Sequence, residues 1–251
     1  NAAQSARTKL QVLVKTVRFG NPKYIGDPIN AVKIFNDLKA DELVFLDINA
    51  SREGRCISVD FVREVGEEAN MPFAVGGGIT TIDQIRALIN AGAEKIIMNT
   101  KAASKPGFIK EASDTFGAST IVVCMDVKKK FLGSEQVWIS NGSKATGLNP
   151  VDYALDMQRQ GAGEIIVQSI DYDGAMNGYD LNLIQKISAS VTIPVVALGG
   201  AGNLQHMRDA YTQAHATALA AGSMFVFYGP NKAVLINYPD KNKIAETFLV
   251  R

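Results

Sequence analysis

One sequence element occurs twice in this chain, and the constant spacing between its copies constrains the fold more than any other feature. MPFAVGGGITT (71–81) aligns with IPVVALGGAGN (193–203), so that Pro72 matches Pro194 at a separation of 122 residues, and Glu42 matches Glu164 at the same separation. A period of about four βα units that is present twice predicts two half-barrels, which together form an eight-stranded α/β fold, the (β/α)8 TIM barrel. We expect a single domain over residues 1–251, with half-barrels at about 1–118 and 119–251.

Short apolar runs alternate with segments of helical spacing along the chain. The runs ELVFLDI (42–48), TIVVCMDV (120–127) and EIIVQSI (164–170) are apolar almost throughout, which is typical of parallel strands buried on both faces. Two longer insertions, LVKTVRFGNPKYIG (13–26) and KKKFLGSEQVWISNGSKATG (128–147), are predicted to form hairpin lids above the barrel. A first strand should precede residue 13, although the stretch around Gln4 is polar.

The composition disfavours several classes of protein. Among 251 residues, 26 Lys and Arg nearly balance 25 Asp and Glu, so we expect no nucleic-acid partner. No apolar run reaches the ~18 residues that a membrane span requires, so we expect no membrane partner. Cys56 and Cys124 lack the spacing of a disulfide framework or a zinc motif, which favours a reducing, cytoplasmic location. His206 and His215 are expected on or just past one helix, away from the barrel mouth, so we predict no metal and no cofactor.

Each copy of the repeat ends in a glycine loop between a strand and a helix. The first glycine loop covers residues 76–80, and the second glycine loop covers residues 199–203. Glycine lets the backbone approach an anion closely, and N–H groups at the start of a helix can donate to that anion. Small or polar residues end the next strand in each half, at 99–100 and 221–223. The pattern predicts two phosphate sites on one face and an elongated ligand with a phosphate at each end. Tight βα turns are the alternative.

Four aspartates, Asp47, Asp126, Asp171 and Asp173, end or follow predicted strands, at the end of the barrel where catalytic groups of this fold lie. Asp126 ends the fifth strand inside an apolar run, and we predict that it moves protons during catalysis. Asp47 and Asp173 follow the second and sixth strands, where each either contacts the substrate or caps the next turn. Lys15, in the first insertion, either reaches the substrate or is solvated.

Several segments taken together resemble one enzyme family. FAVGGGITT, KIIMNTKAA, VVCMDVK, GAGEIIVQSIDYDGAMNGYD and VVALGGAGN are similar to the cyclase subunit of imidazole glycerol phosphate synthase, and the likeness runs from about residue 13 to about residue 228. The resemblance implies a TIM barrel without a cofactor that works with a glutaminase partner. Ammonia from that partner would pass along the barrel axis and attack a bisphosphorylated formimino-aminoimidazole carboxamide ribonucleotide. The products would be imidazole glycerol phosphate, for histidine biosynthesis, and aminoimidazole carboxamide ribonucleotide.

The resemblance also implies roles for individual residues. Asp126 matches one of two catalytic aspartates, while Lys15, Asp47 and Asp173 match residues that line the substrate site. One phosphate site is matched by Gly78, Asn99 and Thr100, and the other is matched by Gly200, Gly202, Ala221 and Ser223. The charged ring at the opposite end of the barrel, where ammonia enters, is matched by Glu42, Lys95 and Glu164. Salt bridges without a role in ammonia transfer are the alternative for that ring.

Two departures from the family keep other functions open. The family's other catalytic aspartate follows a Cys-Leu pair in the first strand, and this sequence contains no such pair. The segment GPNKAVLINYP (229–239) is more similar to paralogues found among surface-polysaccharide genes, which work with a glutaminase to aminate or amidate a sugar in lipopolysaccharide or surface-glycan biosynthesis. A barrel that only binds a glutaminase, and the sister isomerase of histidine biosynthesis, are further alternatives.

Overall fold

Short strands and helices alternate in the computed structural model, which describes residues 12–130 and 133–249. The strands are β1 (Leu13–Val17), β2 (Gly20–Gly26), β3 (Leu43–Leu46), β4 (Phe73–Gly76), β5 (Lys95–Met98), β6 (Ile121–Lys129), β7 (Glu135–Ile139), β8 (Lys144–Ala145), β9 (Glu164–Ser169), β10 (Val195–Leu198), β11 (Ala218–Leu219), β12 (Phe227–Tyr228) and β13 (Ala233–Val234). The helices are α1 (Pro28–Asp37), α2 (Val59–Glu68), α3 (Ile82–Asn90), α4 (Thr100–Ser104), α5 (Gly107–Phe116), α6 (Pro150–Arg159), α7 (Leu181–Ser188), α8 (Leu204–Thr212), α9 (Ser223–Val226) and α10 (Lys241–Leu249). A 3-10 turn covers Ala118–Thr120.

A curled sheet of seven parallel strands forms the centre of the described chain, in the order β11-β10-β9-β6-β5-β4-β3. Because neighbouring strands run in the same direction, the loops that follow them all lie at one edge of the sheet, here called the mouth. The predicted parallel α/β architecture is confirmed, and the curled sheet is consistent with a TIM barrel. The strand predicted before residue 13 lies outside the described residues.

The two faces of the sheet bury different sets of side chains. The outer face packs against the helices in a large apolar core that includes Ile85, Ile109 and Met157. The inner face carries a smaller apolar cluster, formed by Ala74, Ile97, Val122, Cys124, Ile166 and Val196. Successive strand residues point to opposite faces, and apolar surroundings on both sides explain why the strand sequences show little alternation.

Local sequence signals fix where several helices begin. Asp27 accepts the N–H of Asn30 at the start of α1, and Asn149 accepts the first N–H groups of α6. Each cap is followed by proline, whose fixed φ suits the first helical position. Thr81 and Gln84 form a capping box at the start of α3. Helix α1 is absent from the elements predicted above, although its Asp27–Pro28 start carries these signals.

The bounds of the elements recur at the spacing of the sequence repeat. Helix α1 (28–37) and helix α6 (150–159) differ by 122 positions at both ends, and so do α3 and α8. Strands β4 and β10 are related in the same way, as are β1 and β7. The offset seen in the glycine motifs is therefore also found in the positions of these helices and strands.

Both predicted hairpins are present. Strand β1 pairs antiparallel with β2, while β7 pairs antiparallel with the last residues of β6 and with β8. Arg18 and Ser140, at the tips, have φ values of 51° and 54°, as tight hairpin turns require. The Arg18 N–H donates to the Asp173 carbonyl at 2.9 Å, and the Ser140 N–H donates to Thr100 Oγ1 at 3.0 Å. Both hairpins therefore contact loops at the mouth.

The chain after β11 adds a short hairpin and a helix that the sequence analysis did not predict. Strand β12 pairs antiparallel with β13. Helix α10 packs on α8 through Tyr211 and Phe248, whose rings meet edge to face with centroids 5.7 Å apart. In the loop between β13 and α10, the Tyr238 hydroxyl donates to Asp41 Oδ2 at 2.6 Å. This segment therefore connects the last parallel strand to the start of β3.

Candidate functional site

Asp126 lies on the inner face of β6 near the mouth and is almost completely buried. The pKa of its carboxyl group is raised to about 7, chiefly because the group is buried and to a smaller extent because of the negative charge of Asp173. Hydrogen bonding with the Asn99 amide and the Cys124 thiol partly offsets this shift. The Cys124 Sγ lies 3.8 Å from Asp126 Oδ1. A carboxyl group with this pKa can take up and release a proton near neutral pH.

Asp173 and Lys15 meet across the mouth although they are far apart in sequence. The Lys15 Nζ lies 3.0 Å from Asp173 Oδ1, and the Thr16 hydroxyl donates to Asp173 Oδ2 at 3.1 Å. Only 3% of Asp173 is exposed. Lys15 also lies against Gly222, because a Cβ added there would be 2.7 Å from Lys15 Cε. The first hairpin therefore places a cation between Asp173 and the residues that follow β11.

Asp47 lies at the mouth after β3 and caps the next turn. Its Oδ1 accepts the N–H groups of Asn49 and Ala50, each at 3.1 Å. Arg55 forms an ion pair with the same carboxylate and donates from Nη2 to Oδ1 at 3.2 Å. The capping interpretation of Asp47 is therefore confirmed, and Arg55 is an additional charged group that the sequence analysis did not identify.

The first glycine loop packs tightly against the loop that follows β3. Gly78 has a φ of 62°, and a Cβ there would lie 1.8 Å from the Arg55 carbonyl oxygen, so only glycine fits. Asn99, after β5, donates from Nδ2 to the Cys124 carbonyl at 3.0 Å. The Thr100 hydroxyl accepts from the second hairpin and donates to Asn99 Oδ1 at 3.3 Å. All three predicted residues lie along the cavity described below.

The second glycine loop has the same tight packing but different hydrogen bonds. A Cβ on Gly200, whose φ is 113°, would lie 2.0 Å from the Gly178 carbonyl oxygen. Ser223 is 5% exposed, and its hydroxyl finds no hydrogen-bond partner among the described residues. The Gly202 N–H donates to His206 Nδ1 at 3.2 Å. The expectation that His206 lies away from the mouth is therefore wrong, because the first turn of α8 folds its ring back onto this loop.

The three predicted ring residues come together at the start of the strands, opposite the mouth. Lys95 Nζ lies 3.0 Å from Glu164 Oε2 and 3.3 Å from Glu42 Oε1. Burial opposes the charge of Lys95, but the two carboxylates outweigh it and raise the pKa of the ammonium group. We call this group the ionic cluster. Its contacts form a salt-bridge network.

One cavity of about 1400 Å³ is lined by residues from both ends of the sheet. At the mouth it contacts Asp126, Asp173, Gly78, Gly200 and Ser223, and at the opposite end it contacts the ionic cluster. The side chains between the two ends include Ala74, Ile97, Ile166, Val196 and Leu198, all of them apolar. Gly202 is the one predicted phosphate residue that does not line the cavity.

Sequence reasoning missed Gln168, which lies beside Asp126 in the register of β6 and β9. Gln168 is 8% exposed and lines the cavity, and its Oε1 lies 3.9 Å from Cys124 Sγ. A glutamine inside the apolar run 164–170 is the signal that could have identified it, since a polar side chain rarely enters a strand core without a partner. For Arg55 we find no comparable signal in the sequence.

Over 12–130 and 133–249, no three or more His, Cys, Asp and Glu side chains are grouped so that they could hold a metal ion. In the same ranges, no helix combines the length and the apolar character needed to cross a membrane.

Comparison with known proteins places this architecture in one family. Residues 7–229 match the family described as "Histidine biosynthesis protein". A Pseudomonas aeruginosa protein provisionally named imidazole glycerol phosphate synthase subunit hisF2 is 42% identical over 232 residues, which cover 92% of each chain. Imidazole glycerol phosphate synthase subunit HisF of Alkaliphilus metalliredigens is 43% identical over 213 residues, covering 85% of this chain and 84% of the relative. The chain therefore belongs to the histidine biosynthesis protein family, with relatives named as HisF subunits along most of its length.

Proposed function

We propose that the chain is the ammonia-using cyclase subunit of an imidazole glycerol phosphate synthase. In this reaction ammonia attacks a bisphosphorylated formimino-aminoimidazole carboxamide ribonucleotide, and cyclisation and cleavage give imidazole glycerol phosphate and aminoimidazole carboxamide ribonucleotide. The observation that carries the proposal is one cavity whose lining includes the ionic cluster at one end, apolar side chains of the inner face, and the buried carboxyl group of Asp126 at the other end.

The two glycine loops would bind the two phosphates of the substrate. Gly78, with Asn99 and Thr100, would hold one phosphate. The second group would hold the other through Gly200, Ala221 and Ser223, while Gly202, which does not line the cavity, would shape the same loop. The Ser223 hydroxyl, without a partner among the described residues, supports this assignment, because a buried donor in that state is costly unless a ligand satisfies it. Lys15, which is ion-paired with Asp173 and lies against Gly222, would place its ammonium group beside the second group.

Asp126 would act as the acid or base of the reaction. Its pKa of about 7 leaves comparable amounts of the protonated and ionised forms near neutral pH, which is the condition for efficient proton transfer in both directions. Asp173 and Lys15 would orient the substrate beside it, while Asp47 would contribute through the loop that it caps.

Ammonia would enter at the ionic cluster of Glu42, Lys95 and Glu164, supplied by a glutaminase subunit docked at that end. The apolar side chains of the inner face favour neutral ammonia over ammonium, because a cation pays a large desolvation cost in such surroundings. This route also requires a closed eight-stranded barrel, which we propose to consist of half-barrels 1–118 and 119–251 within one domain. The recurrence of helix and strand bounds at an offset of 122 supports that arrangement.

A second candidate function keeps the ammonia route but changes the acceptor. The segment 229–239 resembles paralogues that aminate or amidate sugars, and two similar relatives carry the numbered names hisF2 and hisF3. In this version a glycan precursor, rather than the histidine precursor, would occupy the mouth.

Turnover with labelled ammonia tests the proposal. The purified chain would receive the formimino-ribonucleotide and ¹⁵N-ammonium chloride at pH 8, and mass spectrometry would follow the label. We expect labelled imidazole glycerol phosphate from the wild type and none from Asp126→Asn. A folded wild type that yields no product, but labels a nucleotide-sugar acceptor, would favour the second candidate. Equal product from wild type and Asp126→Asn would rule out the role of Asp126.

A further inference from the structure

Each of the two glycine loops donates a backbone hydrogen bond to a side chain of the helix that follows it. In the second loop, His206 Nδ1 accepts the N–H of Gly202 at 3.2 Å. In the first loop, Gln84 Oε1 accepts the N–H of Thr80 at 2.8 Å. His206 and Gln84 are 122 positions apart, as are Gly202 and Thr80. The two halves therefore make the same contact: the side chain at position 84 or 206 accepts the backbone N–H of the residue four positions before it.

The His206 contact is part of a small hydrogen-bonded unit at the start of α8. The Asn203 side chain accepts the N–H of His206 at 2.9 Å and so caps the helix. The ring also lies near Gly178, whose added Cβ would be 3.8 Å from it. The cap holds the backbone of His206 in place, and this positions the imidazole ring to accept the Gly202 N–H.

The second glycine loop also packs closely against residues 176–178. A Cβ on Gly202 would lie 2.3 Å from the Met176 carbonyl oxygen, so the loop backbone passes directly against residues 176–178. The Gly178 N–H donates to the Gly200 carbonyl at 2.9 Å. Gly200 and Ala201 line the cavity, whereas Gly202 does not. His206 therefore holds the second loop at the residue next to those that line the cavity.

We propose that His206 is a positioning residue for the second phosphate, and that Gln84 has the same function for the first. The inference rests on the proposed function, since it assumes that the glycine loops bind phosphate. By accepting the Gly202 N–H, the His206 ring fixes the backbone of 199–202 so that its cavity-facing groups keep the geometry needed for an anion. The other ring nitrogen, Nε2, lies 3.4 Å from Asn203 Nδ2 in the same loop. Because the Gly202 N–H is used by His206 and Gly202 does not line the cavity, we infer that Gly202 shapes the loop and does not itself contact the phosphate.

The substitution series separates this role from general stability. His206→Ala removes the acceptor and leaves the Gly202 N–H without its partner, which we expect to weaken phosphate binding at the second loop about tenfold. His206→Gln supplies an amide oxygen at the position where the first loop already uses one, and should restore most of the affinity. Gln84→Ala is the matched control, because it should weaken binding at the first loop only.

The experiment is a titration of each ¹⁵N-labelled protein with inorganic phosphate, followed by two-dimensional NMR, after thermal melts have shown that each variant is folded. The backbone signals of Gly78 and Thr100 report on the first loop, and those of Gly200 and Ser223 report on the second. We expect His206→Ala to raise the dissociation constant at the second pair alone. An unchanged constant there, or a His206→Gln protein as weak as His206→Ala, would overturn the inference. If the wild type shows no phosphate response at either loop, the proposed function itself fails.

Discussion

Replacing Asp126 by asparagine should stabilise the protein while removing its proposed catalytic group. Asp126 is buried, and burial is the largest cause of its pKa of about 7 in the folded chain, which compares with about 3.9 in an unfolded chain. Between these two values the folded state holds a proton that the unfolded state has already lost. The free energy of unfolding of the wild type therefore falls as the pH rises through this range.

The magnitude follows from the same two pKa values. Each pH unit between about 3.9 and about 7 costs the wild type about 1.4 kcal/mol, so the total approaches about 4 kcal/mol above pH 7. The amide that Asp126→Asn introduces carries no charge at any of these pH values and avoids this cost. The difference in unfolding free energy, variant minus wild type, should therefore rise from pH 4 to pH 7 and then level off.

Urea denaturation of both proteins at pH 4, 5, 6, 7 and 8 measures this difference directly. A constant contribution from the new amide group shifts the whole curve without changing its slope, so the slope is the quantity to compare. Asp83→Asn, at an exposed position in the first turn of α3, is the control, and it should change stability by less than about 0.5 kcal/mol. A difference that is flat with pH, or that favours the wild type increasingly towards pH 8, would refute the reasoning.

Three further substitutions test other parts of the site. Gly200→Ala places a Cβ 2.0 Å from a facing carbonyl oxygen at a positive φ, so urea denaturation should show a loss of about 2–4 kcal/mol, whereas the unconfined Gly107→Ala should stay within about 1 kcal/mol of the wild type. Lys95→Met breaks the ionic cluster, but the Lys95 side chain is partly exposed, so the free energy of unfolding should fall by only about 1 kcal/mol. Turnover driven by glutamine and a glutaminase partner should fall more than turnover with added ammonium. Equal losses in the two assays would argue against ammonia entrance at this cluster. Lys15→Met leaves the buried carboxylate of Asp173 without its cation, which should lower the free energy of unfolding by about 3 kcal/mol. The first hairpin should then be digested faster in limited proteolysis. An unchanged digestion rate would show that this ion pair does not hold the hairpin in place.

The parts of the fold that the sequence predicted are those determined by local patterns. Buried strands such as β6 and β9 appear as apolar runs because both faces of the sheet exclude water. The glycine loops are visible because Gly78 and Gly200 adopt positive φ against a facing backbone, where no other residue fits. Helix α1 was not predicted, although its Asp27–Pro28 start is a local signal of the same kind.

The contacts that the sequence did not reveal join residues that are far apart or depend on side-chain direction. Thr100 and Ser140 are 40 positions apart, and no periodicity links them before the sheet is assembled. The ring of His206 could be assigned to a helix, but whether it points to solvent or back to Gly202 depends on the loop geometry. Gln168 is only a weak sequence signal for a site, because it is a single buried amide side chain within an apolar run.

The central claim is that one ligand with two phosphates spans both glycine loops above Asp126. A ³¹P NMR titration of the bisphosphorylated formimino-ribonucleotide with the Asp126→Asn protein tests it most directly, because the substrate can bind without being consumed. Our account predicts that both phosphorus signals shift or broaden together, and that Gly78→Ala and Gly200→Ala each abolish the response of a different signal. A response from one phosphorus only, or from neither in a folded protein, would contradict it.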